Sequence, residues 1–234
     1  MAFTVAIDGP AGAGKSVVAR KTAMALGFTY IDTGAMYRTI ALQALERGVS
    51  PDDSETVSCI AIESQIVLSP LDANGDQRVC VQGRDVTQEI RAPQVSQMTS
   101  RISAIPQVRS VMVELQRSIS RESLRGVVLE GRDIGTVVFP NAEVKIFLTA
   151  SAEERAKRRY LELQKRGVEI SLEAVLSEQA ERDERDSQRA ASPLKPAEDS
   201  RYLLTDGLTI VQVVEQIIAL CVEKGYRVEG GGLE

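Results

Sequence analysis

Residues 9–16 read G-P-A-G-A-G-K-S, and this stretch decides the fold. It matches G-x-x-x-x-G-K-[ST], which cradles phosphate when a strand leads into it and a helix leaves it. Phe3-Thr4-Val5-Ala6-Ile7 is short, apolar and partly β-branched, as a buried parallel strand should be. Lys15 to Leu26 reads as a helix that Gly27 closes. The glycines let the N–H groups of Gly12, Gly14, Lys15 and Ser16 converge on phosphate oxygens, and the helix N-terminus adds partial positive charge. Gly9, Pro10, Ala11, Gly12, Ala13, Gly14, Lys15, Ser16 and Val17 are therefore the expected ATP-binding residues. Lys15 should reach the β- and γ-phosphates, and Ser16 should offer its hydroxyl to Mg²⁺. The competing reading is a glycine-rich structural turn, but a chance match in a chain this long occurs on the order of one per cent of the time.

Outward from the loop, the α/β pattern continues. Tyr30-Ile31 reads as a second strand, and Ala35 to Arg47 as a helix ending at Gly48. Strand–helix–strand–helix implies a parallel sheet with right-handed crossovers. The pattern resumes at Val127-Val128-Leu129 and at Val144 to Leu148, and Tyr202-Leu203-Leu204 supplies a fifth strand. Between the halves, Gln65 to Leu71 and Gln77 to Val81 flank Asp72-Ala73-Asn74-Gly75-Asp76, and a third short strand is expected at Val86. Asn-Gly is a hairpin signal, so this is a small antiparallel insert. A calcium loop is rejected there, because the glycine is misplaced and no glutamate closes it. Pro93 to Ser120 holds one or two helices broken near Pro106, while 151–166 and 172–189 are long charged helices. Thr209 to Glu223 is an amphipathic closing helix, and the tail from Glu229 is expected to fray. The expectation is one domain over 1–228, with the insert at 63–99 and the charged helices at 151–190 as excursions from one sheet.

Composition narrows the function. The chain has 234 residues, 43% hydrophobic and 26% charged, which is ordinary for a soluble globular protein. A net charge of −5 argues against bulk attraction to nucleic acid or an anionic membrane, so any anion site must be local. Three distant cysteines, Cys59, Cys80 and Cys221, read as reduced thiols. There is no histidine, which removes histidine bases, Ser-His and Cys-His nucleophiles and histidine metal sites. No apolar run reaches membrane-spanning length, and Met1 leads straight into a strand-like run. The expected compartment is the cytoplasm.

A GTPase would carry Asn-Lys-x-Asp, which is absent. An ATPase motor would end a strand in Asp-Glu, whereas here the strand runs Val127-Val128-Leu129-Glu130-Gly131-Arg132-Asp133. Arginine beside the expected metal acid suggests a second phosphate binder. Two loops at strand ends combine glycine, hydroxyl, acid and arginine: 32–38 (D-T-G-A-M-Y-R) and 130–136 (E-G-R-D-I-G-T). Further on, 181–189 reads E-R-D-E-R-D-S-Q-R. Arg182, Arg185 and Arg189 are spaced to share a helix face. Such a face is either a solvated charged surface or a set of cationic arms.

G-P-A-G-A-G-K-S, D-T-G-A-M-Y-R, G-R-D-I-G-T-V-V-F-P and R-D-x-R-D-x-x-R together resemble the bacterial cytidylate kinases, a nucleoside monophosphate kinase family. The likeness runs in order from Thr4 to about Val222, and shikimate and adenylate kinases lack the G-R-D-I-G-T-V-V-F-P stretch. It implies a three-layer P-loop fold with a five-stranded parallel sheet, an antiparallel monophosphate-binding insert and a helical lid. Thr33, Arg38 and Arg132 would hold the acceptor phosphate, and Ser100, Arg109 and Asp133 would read cytosine. Arg182, Asp186 and Arg189 would contact sugar and acceptor phosphate, and Arg155, Arg158 and Arg159 would lie over the ATP phosphates. Lys15, Arg132, Arg182 and Arg189 would carry the catalysis. The implied reaction moves phosphate from Mg·ATP to CMP or dCMP, in a monomer that uses no nucleic acid or membrane.

The chemistry agrees. Cytosine offers an N4 donor with acceptors at N3 and O2, so a carboxylate suits N4 and Arg109 can donate to N3 or O2. Uracil inverts these groups and is rejected by such a site. An anionic phosphate acceptor needs no base, which fits a chain without histidine. The alternatives are a kinase for another acceptor such as UMP, or an ATP-dependent regulatory switch. A lid that closes over ATP to exclude water is also expected.

Overall fold

A computed structural model describes residues 2–165 and 167–227. Five strands form the parallel sheet: β1 (Phe3–Asp8), β2 (Thr29–Asp32), β6 (Gly126–Gly131), β7 (Val144–Thr149) and β8 (Arg201–Leu204). Their spatial order is β2-β6-β1-β7-β8, so β1 and its phosphate loop sit at the centre. The register pairs Asp8 with Gly131 and Asp32 with Glu130, which brings the ends of three strands level at one rim. A second sheet holds β3 (Ile66–Leu68), β4 (Val79–Val81) and β5 (Arg84–Asp85) in antiparallel order. The helices are α1 (Lys15–Leu26), α2 (Thr33–Glu46), α3 (Ser54–Glu63), α4 (Pro93–Ile102), α5 (Pro106–Glu122), α6 (Ala152–Lys165), α7 (Leu172–Gln188) and α8 (Ile210–Glu223).

Strand alternation sorts the apolar residues into two layers. Ala6, Val127 and Leu129 face α2, α3 and α5, joining Met36, Ile40, Ile60 and Met112 in one core. Val5, Ile7 and Val128 face α1 and α8, joining Val18, Ala19, Leu148 and Ile217 in the other. A helix layer therefore covers each face of the sheet, as the buried all-parallel strands require. A small separate cluster of Ala156, Leu163 and Val175 holds α6 against α7.

Three details differ from the sequence reading. Helix α3 lies where no element was expected. Asp53 caps it by accepting the Thr56 N–H at 3.0 Å, and Val57, Ile60 and Ala61 form its buried face. The third insert strand falls at Arg84–Asp85 rather than Val86, because Gln82 and Gly83 both take positive φ and make a two-residue turn. Val86 is instead fully buried in the first core, and its N–H donates to the Val79 carbonyl. Helix α7 ends at Gln188, one residue short of the expected end, and Arg189 caps it. Its φ of −60° and its N–H bond to the Arg185 carbonyl at 3.1 Å keep it on the last turn, on the cleft side with Arg182 and Arg185, while ψ 137° turns the chain away after it. The tail from Glu229 lies outside the described residues. Among those residues, no helix is long and apolar enough to cross a membrane.

Candidate active site

The phosphate loop is built on a tight backbone. Gly9 has φ +152°, and a Cβ there would lie 1.9 Å from the Leu148 carbonyl oxygen on β7. Only glycine lets the chain turn off β1 so close to its neighbour. Gly14 caps α1 with φ +88° and contributes no side chain, so the first-turn amides of α1 are not consumed by a capping group. Lys15 is 6% exposed, and its Nζ donates to the Pro10 carbonyl at 2.6 Å. Burial holds its pKa well below the usual lysine range, and the Arg132 and Arg182 cations add to this against the pull of Glu130 and Asp8. Arriving phosphate charge reverses that balance.

Ser16 lies at the same rim. Its hydroxyl meets the buried Glu130 carboxylate, which also accepts the Tyr30 hydroxyl at 2.6 Å. Burial raises the Glu130 pKa, Asp32 raises it further, and Lys15 opposes. Of the two acids at this rim, Asp32 is committed elsewhere. It caps α2 by accepting the Ala35 N–H at 2.7 Å and pairs with Arg38 at 3.0 Å.

These groups open into one cleft of about 1640 Å³. Thr33, Arg38, Ser100, Arg109, Arg132, Asp133, Arg182, Asp186 and Arg189 all line it together with Lys15 and Ser16. Thr33 donates to the Glu130 carbonyl at 2.6 Å. Arg109 and Asp133 form a buried ion pair, each 5% exposed, and Arg109 also donates to the Ser103 carbonyl at 3.0 Å. The Arg109 guanidinium sits 5.6 Å from the Tyr37 ring centroid. Arg132 donates to Asp186 at 2.9 Å. Arg189 approaches Asp133 at 3.9 Å and also donates to the Ser192 carbonyl.

This cluster carries surplus positive charge. Burial, then repulsion from Arg132, lowers the Arg182 guanidinium to about 10, and burial followed by Arg109 lowers Arg189. Burial pushes the Asp186 carboxyl up, but Arg132 and Arg182 outweigh it and leave it below its ordinary value. Buried Nε of Arg38, Nε of Arg182, one terminal nitrogen of Arg189 and the Ser100 hydroxyl have no hydrogen-bond partner. Donors orphaned in this way are prepared for an anionic ligand with several acceptor oxygens. Arg185 is exposed and donates to the Glu181 carbonyl one turn back. Glu181 and Glu184 are exposed too.

The charged helices rest on the phosphate loop. Arg155 donates to the Ala11 carbonyl at 3.0 Å and to Asp183 at 2.5 Å, and Asp183 accepts the Ala11 N–H at 3.4 Å. Arg155 is thus tied to the loop's backbone rather than lining the cleft. Arg158 lines the cleft and bonds Glu154 at 3.0 Å and the Thr205 hydroxyl at 3.1 Å. Arg159 also lines it and pairs with Glu162 at 2.9 Å. Gly9 and Pro10 are buried behind the loop and shape it without facing the cleft. Asp8, Tyr30 and Tyr37 were not anticipated from sequence, and Asp183, expected with Asp186 to neutralise the arginine face of 182–189, pairs with Arg155 instead. Asp8 had a signal, an acid ending the strand before a phosphate loop, but its partners lie more than a hundred positions away.

The family model described as cytidylate kinase matches residues 5–223. The chain is 50% identical over 225 residues to a cytidylate kinase of Desulfitobacterium hafniense, covering 95% of each. It is 51% identical over 215 residues to a cytidylate kinase of Pelotomaculum thermopropionicum, covering 92% of this chain and 94% of the relative. It is 47% identical over 226 residues to a cytidylate kinase of Geobacter sulfurreducens, covering 97% of this chain and 95% of the relative.

Proposed function

The chain belongs to the cytidylate kinase family, and we propose that its cleft transfers the terminal phosphoryl group of ATP to CMP or dCMP through the residues placed above. The amides of 12–16 and Lys15 hold the β- and γ-phosphates. A CMP phosphate oxygen attacks the γ-phosphorus. The bond from that phosphorus to the β–γ bridging oxygen breaks, and its electron pair leaves with ADP. The acceptor phosphate's second ionisation lies near pH 6, so the attacking oxygen is anionic at neutrality and no base has to remove a proton. Arg38 and Arg132 seat the acceptor phosphate, while Arg182 and Arg189 neutralise charge spread over the transferring group. Arg158 and Arg159 close over the donor phosphates, and Asp186 faces a ribose hydroxyl.

Mg²⁺ fits the donor set. The Ser16 hydroxyl and the adjacent Glu130 carboxylate are hard oxygen donors, and Mg²⁺ needs only one or two protein groups beside phosphate oxygens and water. Bound there, it would supply charge neutralisation across the β- and γ-phosphates. Lid (151–190) and insert (63–99) are assigned to closure over donor and acceptor. One chain furnishes every group of the cleft, which favours a monomer. The reduced cysteines favour the cytoplasm.

The observation that carries the base assignment is the buried Arg109–Asp133 pair beside the unpartnered Ser100 hydroxyl, in the same cleft as Lys15. A carboxylate to accept from N4 and a guanidinium to donate to N3 or O2 are what cytosine requires. The test is coupled ADP release with Mg·ATP against CMP, dCMP, UMP, AMP and GMP. Saturable turnover with CMP and dCMP and little with UMP is expected. Equal UMP turnover would refute the base assignment, and ADP release independent of any acceptor would refute phosphotransfer to a nucleotide.

A further inference from the structure

We propose that Asp8 is a positioning residue that holds the base-reading loop after β6 in register with the phosphate loop. Asp8 is the last residue of β1 and directly precedes Gly9. It is 4% exposed. One carboxylate oxygen accepts the Ile134 N–H at 2.8 Å, and the other accepts the Gly135 N–H at 2.7 Å. Ile134 and Gly135 open a short helical turn over 134–138, whose carbonyl-to-amide bonds begin at the Asp133 carbonyl. The first amides of that turn have no acceptor within it, so a carboxylate from another strand satisfies both at once. Arg132 and Asp133 immediately precede them.

The geometry leaves little play. Gly9 is pinned against the Leu148 carbonyl, so Asp8 cannot retreat along its own chain. A Cβ on Gly135 would meet Lys145 side-chain carbons at 3.2 Å and the Asp8 carboxylate at 3.4 Å, so the amide approaches Asp8 closely because it belongs to glycine. Donor and acceptor halves of the cleft are joined through one side chain that touches neither ligand.

Charged groups face Asp8 from each neighbouring element: Lys15 of α1, Asp133 of the loop after β6, and Lys145 of β7, whose ammonium is tied to Asp199 at 2.8 Å. Burial is the main cause that pushes the Asp8 carboxyl up to about 6, against the two backbone amides that pull it down. Protonation places a hydrogen on one oxygen and removes an acceptor from one amide. The loop carrying Asp133 and Arg132 is then held at one point rather than two.

The test compares kcat/KM for CMP with kcat/KM for UMP as pH is lowered. Both substrates carry the same phosphate, ionising near pH 6, so its titration cancels in the ratio. The CMP preference of the native chain is expected to fall about tenfold as pH drops through the Asp8 midpoint, the weight of one charge-assisted hydrogen bond. Asp8→Asn is expected to show the lowered preference at every pH, with KM for ATP changed less and Tm largely kept. A native ratio flat across that pH range would overturn the proposal, and this arm needs no variant to fold. An Asp8→Asn protein that loses Tm yet keeps the native ratio would also overturn it, since that is the mark of a merely structural role. The inference rests on the CMP-kinase reading. Loss of that reading would be seen separately, as native protein with no CMP-dependent turnover near neutrality.

Discussion

Asp133→Asn separates the two jobs of the buried ion pair. Asparagine keeps one acceptor oxygen and replaces the other by an NH₂. Breaking a buried pair outright costs about 3–5 kcal/mol. Arg109 retains the Ser103 carbonyl at 3.0 Å and a neutral acceptor on the new side chain, so about 2 kcal/mol of stability should be lost. Base reading changes in both directions. For CMP, the N4 contact falls from charge-assisted to neutral, worth about 1.4 kcal/mol or about tenfold in kcat/KM. For UMP, a carboxylate facing the O4 lone pairs becomes an amide that can donate to them, a gain of similar size. The CMP-to-UMP ratio should fall about a hundredfold, while KM for ATP stays close to native. Coupled ADP release with each acceptor measures the ratio, and urea unfolding followed by circular dichroism measures the stability loss. If CMP and UMP turnover fall by one common factor, Asp133 does not discriminate the bases and the assignment is wrong.

Gly9→Ala places a Cβ 1.9 Å from the Leu148 carbonyl oxygen. It should cost about 3 kcal/mol or more in urea unfolding, and a loss under about 1 kcal/mol would show that the loop relaxes freely. Asp183→Asn weakens the Arg155 anchor, so KM for ATP should rise severalfold with smaller change in KM for CMP; the reverse pattern would detach Arg155 from donor binding. Small-angle scattering should show the chain compacting with a bisubstrate analogue, and an unchanged radius of gyration would refute lid closure. Asp8 binds its proton more tightly folded than unfolded, because its midpoint is raised from 3.8 to about 6. Its contribution to stability is therefore complete below the lower value and is lost as pH rises through the upper one. The Tm difference between native protein and Asp8→Asn should shift toward the native chain as pH is lowered from neutrality, and a constant difference would contradict the raised midpoint.

What sequence made legible was local or periodic. G-P-A-G-A-G-K-S between a β-branched run and a helix placed the phosphate loop, and Pro106 placed the break between α4 and α5. Helix α3 escaped notice because Thr56, Val57, Ile60 and Ile62 are β-branched and weak helix formers. Its Asp53 cap and its buried Val57, Ile60 and Ala61 spacing were there to be read. The site's polar residues were found as motifs, but their pairing was not. Asp186 serves Arg132, and Asp183 serves Arg155 instead of the arginine face on its own helix. Arg189 joins Arg182 in the cluster as the helical spacing implied, because as the cap of α7 it keeps a helical φ and an N–H bond to the Arg185 carbonyl. Asp8 was invisible as a site residue because its importance lies in the two amides it receives from far along the chain.

The crowding of Arg38, Arg132, Arg182 and Arg189 bears on how the protein behaves in a test tube. Buried nitrogens on Arg38, Arg182 and Arg189 lack hydrogen-bond partners, and Arg182 is depressed to about 10 by burial and by its cationic neighbours. Any compact multivalent oxyanion relieves both conditions, whether or not it is a nucleotide. Sulfate and inorganic phosphate should therefore raise the melting temperature saturably, beyond what chloride achieves at equal ionic strength. The same ions should compete with CMP, so the choice of buffer sets both the thermal stability and the KM that an experimenter records.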